Sequence, residues 1–149
     1  PDGVVLEGEP HLTPIPVGED VASLSAILLD APYYEALIAN TREVDGVRIL
    51  DESLLIPFKA RAHLDLATRR ARGEGVDARQ LIKHRGDVFR LLQVFDAERR
   101  VALSDPLKVD MIAFAEAVEA DADFNPTDLK VGLSNKAEAL QRLRTTFGL

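Results

Sequence analysis

Cysteine is absent from this 149-residue sequence, which removes both a disulfide framework and a thiolate metal site, and three histidines leave little for imidazole ligation. A reducing, cytoplasmic setting is the expectation. No apolar run approaches the roughly 18 residues of a membrane span, and the opening PDGVVLEGEP is acidic where a signal peptide is basic. The first residue is Pro1, not Met, so a processed product or a chain beginning mid-protein is expected. Internal repeats and low-complexity tracts are lacking. So are a P-loop, a dinucleotide glycine pattern, a GxSxG elbow and an HExxH helix.

What is present is a chain 46% apolar, long enough to bury one sizeable core. The net charge of -7 is unevenly spread. From Lys59 to Arg90 there are nine Lys or Arg against four acids, net +5, which leaves net -12 on all other residues. Such asymmetry focuses a local field of one sign against the overall balance.

Residues 1–20 hold Pro10, Pro14 and Pro16 around HLTPIPVG, which favours an extended path. VASLSAILL reads as a buried strand or a short turn. Asp30 before Ala-Pro predicts an N-cap and a short helix over 31–39. In TREVDGVRIL, Asp45-Gly46 between two β-prone runs predicts a hairpin with Val47 and Ile49 on one face. Helices follow over 53–72, 77–95, 105–120 and 135–147. The first carries a stripe of Ala60, Leu64, Ala67 and Ala71, with a kink or restart at Pro57. The second, capped by Asp77, carries Leu81, Val88, Leu92 and Phe95. The third, capped by Ser104 or Asp105, carries Leu107, Met111, Phe114 and Val118. Asn135 and Glu138 form a capping box for the last, which turns Leu140, Leu143 and Phe147 inward before Gly148. The predicted fold class is α+β, helix-dominated: a small hairpin-containing part over residues 1–50, then a four-helix bundle over 51–149.

The second of these helices raises the functional question. Lys83, Asp87 and Arg90 form a polar stripe opposite its apolar one, and i,i+4 and i,i+3 pairs of opposite sign stabilise an exposed helix by about 0.2–0.5 kcal/mol each. The stripe is a solvated face, a salt-bridge ladder, or a grip for phosphate. Gly86 costs roughly 1 kcal/mol against Ala inside a helix, so close packing or ligand approach is its expected reason. Lys59, flanked by Phe58 and Ala60, either snorkels to solvent or reaches a polar cavity. His63 reads as a partly buried helix histidine in preference to a base, and Arg61 with Asp65 as a structural i,i+4 pair. Asp121 and Asp123 have the chemistry for magnesium, but as acids of a polar loop they read as solvated.

The stretches PHLTPIP, SLSAILLDAPYYEAL, LLIPFKARAHLDLATRRARGE and IKHRGDVFRLLQVF together resemble the C-terminal portion of bacterial nucleotidyltransferase-like proteins, close to the abortive-infection (AbiE-type) toxin class. The resemblance implies a small mixed sheet whose Gly-Ser turn and paired acids hold magnesium, and a helical half that supplies cations to a nucleoside triphosphate. This sequence has no Gly-Ser turn followed by an Asp-x-Asp strand, so by this resemblance the chain alone is inactive. Magnesium and nucleotide are expected only with an intact parent.

Carried onto this sequence, the family's helix lysine falls on Lys59, and its basic-acidic motif on Lys83, Arg85 and Asp87. The order KHRGD departs from the adjacent Lys-Asp pair common in that family, which makes Asp87 an orienting residue for Lys59 or Arg90, alongside His63 and Asp65 as orienting or structural groups. The resemblance and the charge pattern together predict that Lys59, Lys83 and Arg90 converge on one nucleotide-binding pocket, with no catalytic and no metal-ligating residue in this chain. Expected partners are the missing N-terminal half, a second copy, and an antitoxin protein; no membrane is expected, nor nucleic acid for this chain alone. An exposed apolar patch is expected over residues 1–50. The rival readings are a non-catalytic module that binds a partner protein, and a scaffold domain without ligand.

Overall fold

The computed structural model describes residues 30–149. The expected extended run around HLTPIPVG and the strand or turn at VASLSAILL lie outside them.

Helix α1, Ala31–Ala39, starts with Pro32 in its first turn. Asp30 sits at the N-cap but makes no side-chain cap bond; its carboxylate lies 3.4 Å from Arg61 instead. Strands β1, Thr41–Val44, and β2, Val47–Leu50, pair antiparallel with Val44 opposite Val47. Asp45 and Gly46 both have positive φ, 51° and 78°. That is the tight two-residue turn whose twist matches the flanking strands, as the Asp-Gly pair predicts.

Helix α2, Glu52–Ala71, is capped by Asp51, which accepts from the Ser53 N–H at 2.9 Å. It runs through Pro57, although proline there removes the donor that would reach the Ser53 carbonyl. The predicted stripe is corrected: Ala60 is buried, but Ala71 is exposed and Ala67 only half-buried. The helix has two buried rows, Leu54–Phe58–Ala62 and Ile56–Ala60, because it is covered on two sides.

Helix α3, Ala78–Leu92, is capped by Asp77, which accepts from the Arg79 N–H at 2.9 Å. It stops at Gln93, short of the predicted residue 95. Arg142 of the last helix donates to Gln93 Oε1 and to the Phe95 carbonyl, 2.7 Å each, so a side chain meets the chain end where further helix would. Val88, Leu92 and Phe95 are buried as predicted; Phe89, fully buried, lies outside the predicted row. Helix α4, Asp105–Ala120, buries Leu107, Met111, Phe114 and Val118 as the spacing predicts. A 3-10 turn, Pro126–Leu129, leads to α5, Lys136–Phe147. There Asn135 accepts from the Glu138 N–H, and the Glu138 carboxylate accepts from Ser134, one residue earlier than a reciprocal box requires. Leu140, Leu143 and Phe147 are buried, and Gly148 closes the helix at φ 62°.

The described part is therefore helix-dominated, with five α-helices and one two-stranded hairpin. Its main apolar cluster joins α2, α3, α4 and α5 through Ile56, Phe89, Phe114 and Leu143. A second cluster seats α1 and the hairpin by packing Tyr33, with Leu50 beside it, against Leu54, Phe58 and Leu107. Of the apolar surface expected over residues 1–50, the described portion exposes Tyr34, Ile38, Val44 and Val47. Among the described residues no helix is long and apolar enough to cross a membrane.

One polar network holds the second cluster. The Tyr33 hydroxyl donates to Asp110 Oδ2 at 2.8 Å, and Arg61 donates to the same carboxylate at 3.1 and 3.2 Å. The expected Arg61–Asp65 pair is corrected: Arg61 turns to Asp110 of α4 and to Asp30. Burial foremost, and then Asp110, push the Tyr33 phenol above its ordinary pKa. Tyr33→Phe leaves Asp110 with Arg61 and should cost about 1 kcal/mol, whereas Asp110→Ala strands a buried phenol and should cost about 2–3 kcal/mol. Urea unfolding of both variants checks this; the reverse order would contradict it.

Candidate functional site: a cationic stripe on two helices

Successive residues of a helix turn by about 100°, so Arg79, Lys83, Asp87 and Arg90 fall on one stripe of α3. Arg79, Lys83 and Arg90 are exposed and Asp87 is half-buried. From α2, Lys59 Nζ reaches Asp87 Oδ2 at 3.0 Å, while Arg90 Nη1 lies 3.3 Å from Asp87 Oδ1. One carboxylate thus receives two cations, from two helices, on separate oxygens. Lys59 ends at a carboxylate near the surface, one-third exposed, which decides between the two paths open to it. With Lys59 added, the stripe has four cations; Asp87 is the acid shared by Lys59 and Arg90, and Asp77 lies 3.6 Å from Arg79.

The structure therefore brings Lys59 and Arg90 together on Asp87. Lys83 belongs to the same stripe by position, one turn before Asp87. Arg85, which the resemblance grouped with Lys83 and Asp87, points elsewhere: it pairs with Asp121 and lies 4.7 Å over the Phe124 ring, 13% exposed. The solvated reading of Asp121 is corrected: it is half-buried, pairs with Arg85, and its other oxygen accepts from the Asp123 N–H at 2.9 Å. It is an anchor for Arg85 and a turn-former. Among the described residues no group of three His, Asp or Glu is placed to hold a metal ion. Asp65 is half-buried on α2, and its expected partner Arg61 is engaged by Asp110 and Asp30. Arg79 was not singled out from the sequence, although its place one turn before Lys83 was the available signal.

Gly86 lies in the middle of α3, buried, on the same stripe. A Cβ there would stand 3.0 Å from Arg90 Nη1 and 3.2 Å from Leu129 Cδ2. Both contacts are tighter than ordinary van der Waals distance, so close packing accounts for a helix-disfavoured residue at this point.

His63, one turn beyond Lys59, is part of the scaffold below the stripe. Its Nδ1 is 3.0 Å from the Leu81 carbonyl, and its ring stands edge-on to Phe114 at 5.5 Å. It thereby ties α2 to α3 and α4. Burial foremost lowers its pKa below the ordinary 6.5; the Leu81 carbonyl and Asp121 oppose this, and Arg85 adds to it.

A helix-dominated chain with a cationic face on one helix pair is the class these features define. Compared with protein-family models, curated proteins and solved structures, it finds no match in any of the three.

The His63 shift fixes a pH dependence. The folded state disfavours imidazolium, so His63 contributes in full above about pH 6.5 and progressively less as the pH falls below that value. Unfolding midpoints measured from neutral pH downward should fall, and His63→Gln should flatten the decline; equal declines in both proteins would contradict this role.

Proposed function

We propose that this chain is the helical, nucleotide-side portion of a nucleotidyltransferase-like protein, and that the stripe shared by α2 and α3 meets the phosphates of a nucleoside triphosphate. The observation that carries this is the convergence of Lys59 and Arg90 on Asp87. A carboxylate held between two cations marks a place where an anion of higher charge competes favourably. Each new charge-assisted hydrogen bond to phosphate contributes roughly 1.5–3 kcal/mol. Lys83 and Arg79 extend the positive field along α3 and support capture of the ligand.

Further parts of this reading are a four-helix bundle built from α2 to α5, a cytoplasmic setting, and magnesium held by a metal-binding half that this sequence does not contain. In-line transfer needs those metal ions to neutralise developing charge, so the chain by itself binds and does not react.

A second reading, a module that binds a partner protein such as an antitoxin or a second copy, draws on exposed Tyr34, Ile38, Val44 and Val47. Exposed apolar side chains favour association where they lie together in one patch.

Titration calorimetry of the chain with inorganic triphosphate tests the first reading. Lys59→Ala and Arg90→Ala should each weaken binding about tenfold, or about 1.4 kcal/mol. Asp87→Asn, which removes the competing charge, should tighten it. If all three variants bind as the parent does, the stripe is a salt-bridge ladder worth a few tenths of a kcal/mol in stability.

A further inference from the structure

We infer that Gly86 is a positioning residue for Arg90, resting on the phosphate-binding reading of the stripe. Side chains on a helix lean toward its N-terminus, so the Arg90 guanidinium folds back over the preceding turn, where residue 86 lies. It is this fold-back that brings Nη1 to Asp87 Oδ1 at 3.3 Å. A Cβ at residue 86 would crowd this seat. An added methyl would stand 3.0 Å from Arg90 Nη1 and 3.6 Å from Cζ. The 3-10 turn presses on the same spot, with Leu129 Cδ2 3.2 Å from that position. Leu129 is packed against the main core and limits any sideways relief. Arg90, half-exposed, is the group that moves.

The consequence is a geometric one for the ligand. With glycine at 86, the guanidinium lies close against α3, on the same carboxylate as Lys59. With alanine there, the head group has to give by a few tenths of an ångström, away from its place beside Lys59 on the carboxylate. Gly86 therefore helps hold the two cations on one carboxylate, an arrangement that suits a phosphate group.

A double-mutant cycle on the whole chain tests this, read by inorganic triphosphate affinity and by urea unfolding midpoint. Gly86→Ala should weaken triphosphate binding about tenfold, and should weaken it no further in an Arg90→Ala background. Equal losses in both backgrounds would overturn the inference, since a general disturbance of α3 acts whether or not Arg90 is present. Should Gly86→Ala unfold the chain, the Gly86→Ala, Leu129→Ala pair removes the core contact and keeps the one with Arg90, and the same cycle applies. If the unmutated chain shows no triphosphate binding, the phosphate reading fails by itself. The unfolding midpoints then decide the inference: alanine at 86 should be better tolerated without Arg90 than with it, and an identical midpoint shift in the two backgrounds would contradict it.

Discussion

Helix α2 buries one row, Leu54, Phe58 and Ala62, against Tyr33 and Leu107, and a second row, Ile56 and Ala60, in the cluster with Val88, Met111 and Phe114. At about 100° per residue, Lys59 falls in the gap between those rows on one side and Arg61 in the gap on the other. Neither has a free choice of partner. Arg61 faces α4 and takes Asp110; Lys59 faces α3 and takes Asp87. The double burial of one helix thus sets the direction of both polar contacts, the one that fastens α1 and the one that forms the candidate site.

The two contacts differ in what surrounds them. Around Asp110 the donors are a buried phenol and one guanidinium, and the network closes on itself. At Asp87 two cations share one acid, on a stripe that continues through Lys83 and through Arg79, which lies 3.6 Å from Asp77. A partly exposed ion pair of this sort contributes about 0–1 kcal/mol to stability. Gly86 departs from helix preference because a Cβ there would crowd Arg90 and Leu129.

Much of this was legible in the sequence wherever the cause is local. Asp45-Gly46 dictates the hairpin because both turn positions need positive φ. Asp77 and Asn135 announce the starts of α3 and α5 because their caps act within three residues. The row in α4 is clear because that helix has one buried side. In α2 the single-stripe reading failed because two rows at different angles blur the periodicity that a one-sided helix shows. The end of α3 was misplaced because Arg142, distant in sequence, meets it. Arg85 was placed with Lys83 and Asp87 by the family resemblance, but it stands two residues, a turn of about 200°, from each of them and lies over Phe124. Lys83, Asp87 and Arg90 were legible as one stripe from their spacing, whereas Lys59 was joined to Lys83 and Arg90 by the charge pattern and the family resemblance; that Lys59 and Arg90 meet on Asp87 depends on how α2 packs against α3.

The most direct test of the central claim is a side-chain NMR titration of the chain with inorganic triphosphate, following the Lys59 ammonium and the Arg90 guanidinium together. Both signals should move along one binding curve, and the Asp87 carboxylate should lose its two cationic neighbours in step with them. Signals that stay still, or that move on separate curves, would contradict a shared phosphate site and leave Asp87 as a tie between two helices.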